Sequence, residues 1–296
     1  KWYNLNSLTN NTNNKPIIYA KLRDYFDIAV KRRMISDVDL GVFLSGGLDS
    51  SLIVSSLAEQ GFSLPCFTMG FEGASNYYEE RPQAERLAKH FGMEHHSFEI
   101  NEKSILKKIP EILNASDEPF ADTSALPFYM LSKEVSSRVK VVLSGDGGDE
   151  VFGGYRKHLG EKWSSASNMI PKFIRTIIVK TLIENKNTYY GEISRRIRRF
   201  LINTYKDGSL RQAGYLEQIN ADSIKKLFGV NIEHTKRLLD KHRKPFTDPI
   251  NAMLAADLGF SLAGDMLVKA DRMSMANSLE VRSPFLDKDL VEYAFA

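Results

Sequence analysis

Two short stretches concentrate the residue types that handle phosphate. Ser45-Gly46-Gly47-Leu48-Asp49-Ser50-Ser51 packs two glycines, three hydroxyls and one carboxylate into seven positions. Glycine lets backbone approach a phosphate with no Cβ in the way. A helix opening here presents backbone N–H groups and hydroxyls to the negative charge. Asp49 repels phosphate directly, so its task is to hold Mg2+ bound to a pyrophosphate. The patterns Gly-x4-Gly-Lys-Ser/Thr and Gly-x-Gly-x-x-Gly are both absent, which excludes a Walker loop and a dinucleotide loop.

A second stretch, Ser144-Gly145-Asp146-Gly147-Gly148-Asp149-Glu150-Val151-Phe152-Gly153-Gly154-Tyr155, holds five glycines and three carboxylates in twelve residues. That composition makes a poor core and a good site. If the strands before the two loops run in the order 3-2-1-4, the loops face each other across the crevice where the order reverses, and Asp49 and Asp149 can share one Mg2+. A capped Ser/Gly turn and a flexible acidic loop are the plain alternatives. The position of each stretch directly after an apolar run argues against them.

The elements that must position these loops are legible in the apolar pattern. Ile18, Leu22, Phe26, Ala29 and Val30 share one helical face. Leu40–Leu44 suits a buried strand, and Ser51–Gln60 reads as a helix closed by Gly61. Leu64–Phe71 is a second strand; Pro82 opens a helix that Gly92 stops. Glu94–Ile100 and Val139–Leu143 complete four strands, with a helix over Leu126–Ser137. The alternation predicts an α/β fold, a Rossmann-like parallel sheet with right-handed crossovers. After about residue 155 strand signals vanish, and Ile177–Leu182, Ile193–Leu201 and Met253–Met266 take helical spacing. The expected division is a linker over 1–16, an α/β core carrying both loops over 17–155 and a mainly helical region over 156–296, which the resemblance described below makes the ATP-binding core and the substrate side.

Composition bounds the rest. The 296 residues are 43% apolar and 26% charged, ordinary for a globular protein. A net charge of +3 implies no nucleic-acid partner by itself. No run approaches the roughly 18 apolar residues that span a bilayer. The single cysteine, Cys66, forms neither an internal disulfide nor a thiolate cluster, so a reducing cytoplasm is the expected compartment. The opening Lys1 and the uncapped apolar run at Phe295-Ala296 suggest a piece of a longer protein.

The Ser45–Ser51 segment resembles the pyrophosphate loop of enzymes that cleave ATP between its α- and β-phosphates, a superfamily that includes GMP, NAD and argininosuccinate synthetases and tRNA-modifying enzymes. The Ser144–Tyr155 loop is more specific: it resembles the second signature of the glutamine-hydrolysing asparagine synthetase family. Three further stretches resemble the same family. They are Phe67-Thr68-Met69-Gly70-Phe71 followed by Tyr78-Glu79-Glu80, then Asp117-Glu118-Pro119-Phe120-Ala121-Asp122-Thr123-Ser124-Ala125-Leu126-Pro127. The last is Lys269–Ala276 with Ser278-Leu279-Glu280-Val281-Arg282-Ser283-Pro284-Phe285-Leu286-Asp287. The match runs from about Trp2 to the last residue and is weakest between about 160 and 250.

The resemblance implies an adenine nucleotide α-hydrolase-like fold with ATP and Mg2+ as cofactors. Leu44, Met69, Ser144 and Gly145 would cradle the adenosine, and Ser45, Gly46, Gly47, Asp49 and Ser50 the pyrophosphate. Asp49 and Asp149 would hold Mg2+. Asp146 takes the place of the carboxylate that manages protons when ammonia attacks the acyl-adenylate; some members carry Glu there, one methylene longer. The related β-lactam synthetases are expected to have Tyr, which argues against that branch. Asp265, Lys269, Asp271, Arg272 and Arg282 are candidates for binding aspartate or ordering the phosphate side, with helix-end ion pairs as the alternative. The implied partners are aspartate and ammonia drawn from glutamine by a glutaminase domain, with a homodimer left open. Another acceptor carboxylate, or a tRNA-modifying adenylating enzyme, remains open at this level.

Other features carry less. His95 and His96 are adjacent in an expected strand and point to opposite faces, so they cannot chelate together. Arg195-Arg196-Ile197-Arg198-Arg199 reads as a solvated basic helix face with no aromatic stacking platform beside it. Cys66 reads as a small buried hydrophobe.

Overall fold

The computed structural model describes Leu5 and residues 15–73, 79–118, 122–167, 170–181, 189–204, 206–217, 219, 221–230 and 232–296. Most of the expected 1–16 linker lies outside the described residues, as do Tyr78, Pro119, Phe120, Ala121 and Leu182. The chain divides into two compact units, Leu8–Val151 with Leu262–Ala296, and Lys1–Ser7 with Phe152–Ser261.

In the first unit the chain runs α1 (Lys15–Arg33), β1 (Leu40–Phe43), α2 (Leu48–Glu59), β2 (Cys66–Phe71), α3 (Arg81–His90), β3 (His95–Ile100), α4 (Glu102–Asn114), α5 (Ala125–Val135), β4 (Val141–Leu143) and α6 (Gly148–Phe152). Among the described residues seven helices follow in the second unit: α7 (Arg156–Ser167), α8 (Lys172–Thr181), α9 (Tyr189–Asn203), α10 (Gly208–Leu216), α11 (Ala221–Phe228), α12 (Glu233–Arg243) and α13 (Pro249–Ala256). A π-helix over Asp257–Met266 leads to α14 (Leu267–Met275), β5 (Glu280–Arg282), a 3-10 turn over Pro284–Leu286 and α15 (Lys288–Phe295).

The five strands form one parallel sheet in the order β3-β2-β1-β4-β5. The order expected from the sequence is present, extended by a fifth strand. That strand corrects the reading that strand signals end near residue 155. It also moves Leu262–Ala296, grouped by sequence with the helical region, into the compact unit that contains the sheet.

Side chains alternate across the pleat and fill both faces. Val42, Leu44, Cys66 and Leu143 point to one face, where they pack with Val30 of α1, Ile53, Val54 and Leu57 of α2, and Ala84 and Ala88 of α3. Phe43, Phe67 and Val142 point to the other and meet Val135 and Val139. On that side α4, α5 and α14 close a further cluster of Ile112, Tyr129, Met130 and Met273.

The helical second unit has an apolar centre at Ala213, Leu239 and Ala256 and a buried charge network beside it. Glu161, fully buried, accepts from Arg211 Nε at 2.6 Å and Nη2 at 2.9 Å, and from Arg243 Nη2 at 3.1 Å. Arg243 continues to Gln212 at 2.7 Å, and Gln212 donates to Asp257 at 2.9 Å. Asp257 also takes Lys157 and His158, each at 2.8 Å. Burial alone would raise the Asp257 carboxyl, but the bonds from His158 and Lys157 outweigh it and hold the carboxyl low.

Candidate active site

Strands β1 and β4 are neighbours, with Leu40 opposite Val141 and Val42 opposite Leu143. Their following loops therefore emerge side by side at the C-terminal edge. Here β2 and β3 extend the sheet one way and β4 the other, the switch point at which open parallel sheets bind ligands.

The first loop turns through Gly46, whose φ of 77° only glycine adopts without strain. A Cβ at Gly46 would also lie 2.9 Å from Gln83 Cγ, and the Gln83 side chain donates to the Gly46 carbonyl at 2.7 Å. Ser45 Oγ and Ser50 Oγ lie 3.1 Å apart, closing the turn. Gly47 is the N-cap of α2 and offers no side-chain cap, so the first-turn N–H groups face outward without one. This is a ready anion seat.

The second loop presses directly on the first. A Cβ at Gly145 would sit 3.0 Å from Asp49 Cβ, and one at Gly148 would sit 2.6 Å from Asp49 Cγ and 2.7 Å from its Oδ2. Glycine is thus required for the approach of the loops. Burial, then the charge of Asp149, pushes the Asp49 carboxyl up to about 6. Two neighbouring carboxylates are oxygen donors of the kind a hard divalent cation takes, and Gly148 leaves its room to the Asp49 carboxylate. Among the described residues no third carboxylate, histidine or cysteine joins them, so further ligands would come from bound phosphates.

Asp146 is held from two directions. Its Oδ2 accepts from Ser144 Oγ at 2.7 Å, and its carbonyl accepts from Ser283 Oγ. Ser144 N donates to Arg282 O at 2.9 Å, which ties the loop to β5. Gly147, at φ 90°, leaves room for Leu286. The 282–286 segment thus buttresses the Ser144–Tyr155 loop.

Two cavities meet at Asp146. A cleft of about 450 Å³ is lined by Leu44, Ser45, Gly47, Asp49, Ser50, Met69, Ser144, Gly145 and Asp146. Of the nucleotide-binding candidates only Gly46 is off its wall. A second cavity of about 580 Å³ is lined by Ser144, Asp146, Asp271, Ser274 and Arg282 among others.

The substrate candidates separate by geometry. Lys269 Nζ donates to Asp122 at 2.9 Å and Ser124 Oγ at 2.8 Å. The bonds from Lys269 and Ser124 outweigh burial and hold the Asp122 carboxyl low. Asp265 keeps an exposed face, yet partial desolvation and then the Asp122 charge push its carboxyl up, with Lys269 opposing them. Asp271 lines the second cavity. Arg272 pairs with the exposed Asp117. Arg282 is spent on scaffold: it donates to Glu280 at 2.7 Å, to Arg33 O at 2.9 Å and to Ile35 O at 2.7 Å. Asp122, Ser124, Gln83 and Ser283 are missed as individual site residues by sequence reasoning; Asp122, Ser124 and Ser283 at least fall inside motif stretches, whereas nothing in the sequence signalled Gln83. His95 bonds Thr68 Oγ1 at 2.9 Å while His96 stacks on Phe67, on opposite faces as expected.

Residues 21–296 match the family model described as asparagine synthase. The chain belongs to the asparagine synthase family. Among individual relatives of this asparagine synthase-family chain, asparagine synthetase [glutamine-hydrolyzing] 1 of Bacillus subtilis is 32% identical over 94% of this chain and 43% of its own length. The nodule asparagine synthetase [glutamine-hydrolyzing] of Pisum sativum is 34% identical over 52% of this chain and 27% of its own. The chain thus spans less than half the length of these relatives. Likeness to solved structures is slight: an NMN synthetase from Francisella tularensis overlaps 90% of this chain and 97% of its own at 13% identity, with a TM-score of 0.34.

Proposed function

We propose that this chain is the ATP-using synthetase region of a glutamine-dependent asparagine synthetase. The observation that carries the reading is the pair of glycine-rich loops facing each other at the switch point, with Asp146 on the wall of both cavities. ATP lies in the smaller cleft, its adenosine against Leu44, Met69, Ser144 and Gly145 and its pyrophosphate at the start of α2. Asp49 and Asp149 hold Mg2+, which when bound offsets the charge of the leaving pyrophosphate. The β-carboxylate of aspartate attacks the α-phosphorus, pyrophosphate departs, and the carboxylate oxygen becomes part of a good leaving group. Ammonia then attacks the acyl carbon; Asp146, steadied by Ser144, takes the proton as AMP leaves.

Lys269, fixed between Asp122 and Ser124, supplies positive charge for the acidic substrate, with Asp265 and Asp271 as partners for its ammonium group. Arg272 serves the same side. Ammonia comes from glutamine hydrolysed in a part of the parent protein outside this chain. A reducing cytoplasm suits the buried Cys66, whose thiol burial pushes up to about 12. The decisive experiment supplies the parent protein with ATP, Mg2+, ammonium and a panel of carboxylic acids. Aspartate-dependent release of AMP and pyrophosphate is expected; ADP and phosphate, or a preference for another acid, would overturn the reading.

A further inference from the structure

The helical unit carries a cavity of its own, about 470 Å³, between α7, α9 and α10. Its apolar wall is Leu159, Trp163, Ile197, Phe200 and Tyr215. Trp163 is 61% exposed, a flat ring left facing solvent. Its rim carries four cations, Arg156, Lys157, Arg196 and Arg199, and no carboxylate among the described residues lines it. Lys157 is committed to Asp257, and Arg199 gives one N–H to Glu217 O at 2.7 Å, which leaves the rest of its guanidinium fork to the cavity. Tyr215 Oη is buried with no hydrogen-bond partner among the described residues. The basic stretch Arg195–Arg199, read in sequence as a solvated face with no aromatic platform, therefore has one: it comes from α7 and α10, which sequence proximity cannot show. The Arg195 side chain lies outside the described residues.

We propose that this cavity binds a free mononucleotide as a second ligand, separate from the ATP-using cleft. The chemistry of the wall selects it. A purine ring stacks on Trp163 and on the guanidinium planes. The phosphate takes Arg156 and Arg199, whose planar forks match its oxygens. The volume lies within the span of roughly 300–1,000 Å³ typical of small-molecule sites. It admits one nucleotide and not a folded protein surface. The inference stands apart from the proposed amide synthesis, because every residue it uses lies in Phe152–Ser261.

Trp163 reports binding directly once Trp2, the other tryptophan of the chain, is replaced. GMP is titrated into the Trp2→Phe chain and its fluorescence followed. Saturable quenching is expected. It should persist in Asp49→Ala, which cripples the ATP cleft, and weaken roughly tenfold or more in Arg156→Ala with Arg199→Ala. Calorimetry of Trp163→Ala gives a second reading in a variant that removes only an exposed ring, and a similar loss is expected. No quenching at millimolar GMP would overturn the proposal. So would quenching abolished by Asp49→Ala, binding indifferent to both the arginine and tryptophan changes, or binding of an oligoribonucleotide without binding of GMP.

Discussion

Gly148→Ala should separate folding from chemistry. The backbone at Gly148 is helical, so alanine suits its conformation and gains about 0.5–1 kcal/mol over glycine. The added methyl, however, would lie 2.6 Å from Asp49 Cγ, about 0.8 Å short of ordinary contact at 3.4 Å. Such overpacking costs about 1–3 kcal/mol when nothing yields, and Asp49 is the side chain able to yield. Rotation of its carboxylate relieves the clash and carries the oxygens away from Asp149. Net destabilisation stays below about 2.5 kcal/mol, a few degrees in Tm for a chain of this size. Displacement of a positioning group by about 1 Å costs on the order of 10²-fold in turnover. Circular dichroism melting and calorimetric titration with ATP and Mg2+ read the two effects on this chain, and AMP release reads turnover in the parent. A folded alanine variant with unchanged Mg2+-dependent ATP affinity and turnover would refute the account of the two loops.

Three other outcomes follow from particular side chains. Asp287 is buried, accepts from Arg33 and from Arg32 at 3.0 Å, and caps α15. Burial would raise its carboxyl, but the bonds from Arg33 and Arg32 win and hold it low. Its stabilisation is therefore full above the unfolded carboxyl range, near about 4, and fades as pH falls through the lower folded value. Asp287→Asn should cost about 1–3 kcal/mol at neutral pH in urea unfolding, and the gap from the parent chain should close in acid; a pH-independent gap contradicts this. Glu161→Gln leaves Arg211 and Arg243 without their shared carboxylate and should cost about 3–5 kcal/mol, read in the same assay. Cys66 should resist thiol reagents in the native chain and react on unfolding; rapid native labelling would show the strand is not closed as described.

Three of the four strands before residue 150 were legible as apolar runs flanked by glycine or a turn, and β3 by the alternation of Phe98 and Ile100 after Gly92; the helices between them are long enough to show their period. β5 was not, because Glu280-Val281-Arg282 offers one apolar residue in three and follows a long helical stretch. Its partner Val141-Val142-Leu143, not its own pattern, makes it a strand. α4 escaped notice beside Pro110, which its helix tolerates, although Asn101 caps it by accepting from Ser104 N at 2.9 Å. In the site, residue type and spacing singled out Asp49 and Asp149 as candidates, and the family resemblance added Asp146. They did not distinguish Arg282, a brace between β5 and the end of α1, from Lys269, an ammonium held on a carboxylate and a hydroxyl. Long-range pairing decides such roles, and sequence order does not display it.

The position of β5 has a consequence for synthesis on the ribosome. Residues 141–143 emerge early, with one side of β4 unpaired, and more than a hundred residues must follow before Glu280–Arg282 can dock there. Until then Ser144 lacks the Arg282 carbonyl and Asp146 lacks Ser283. A nascent chain halted before residue 280 would hold the first loop on its helix while its counterpart waits unbraced. The site is completed last, by a segment that lies off the wall of the smaller cleft.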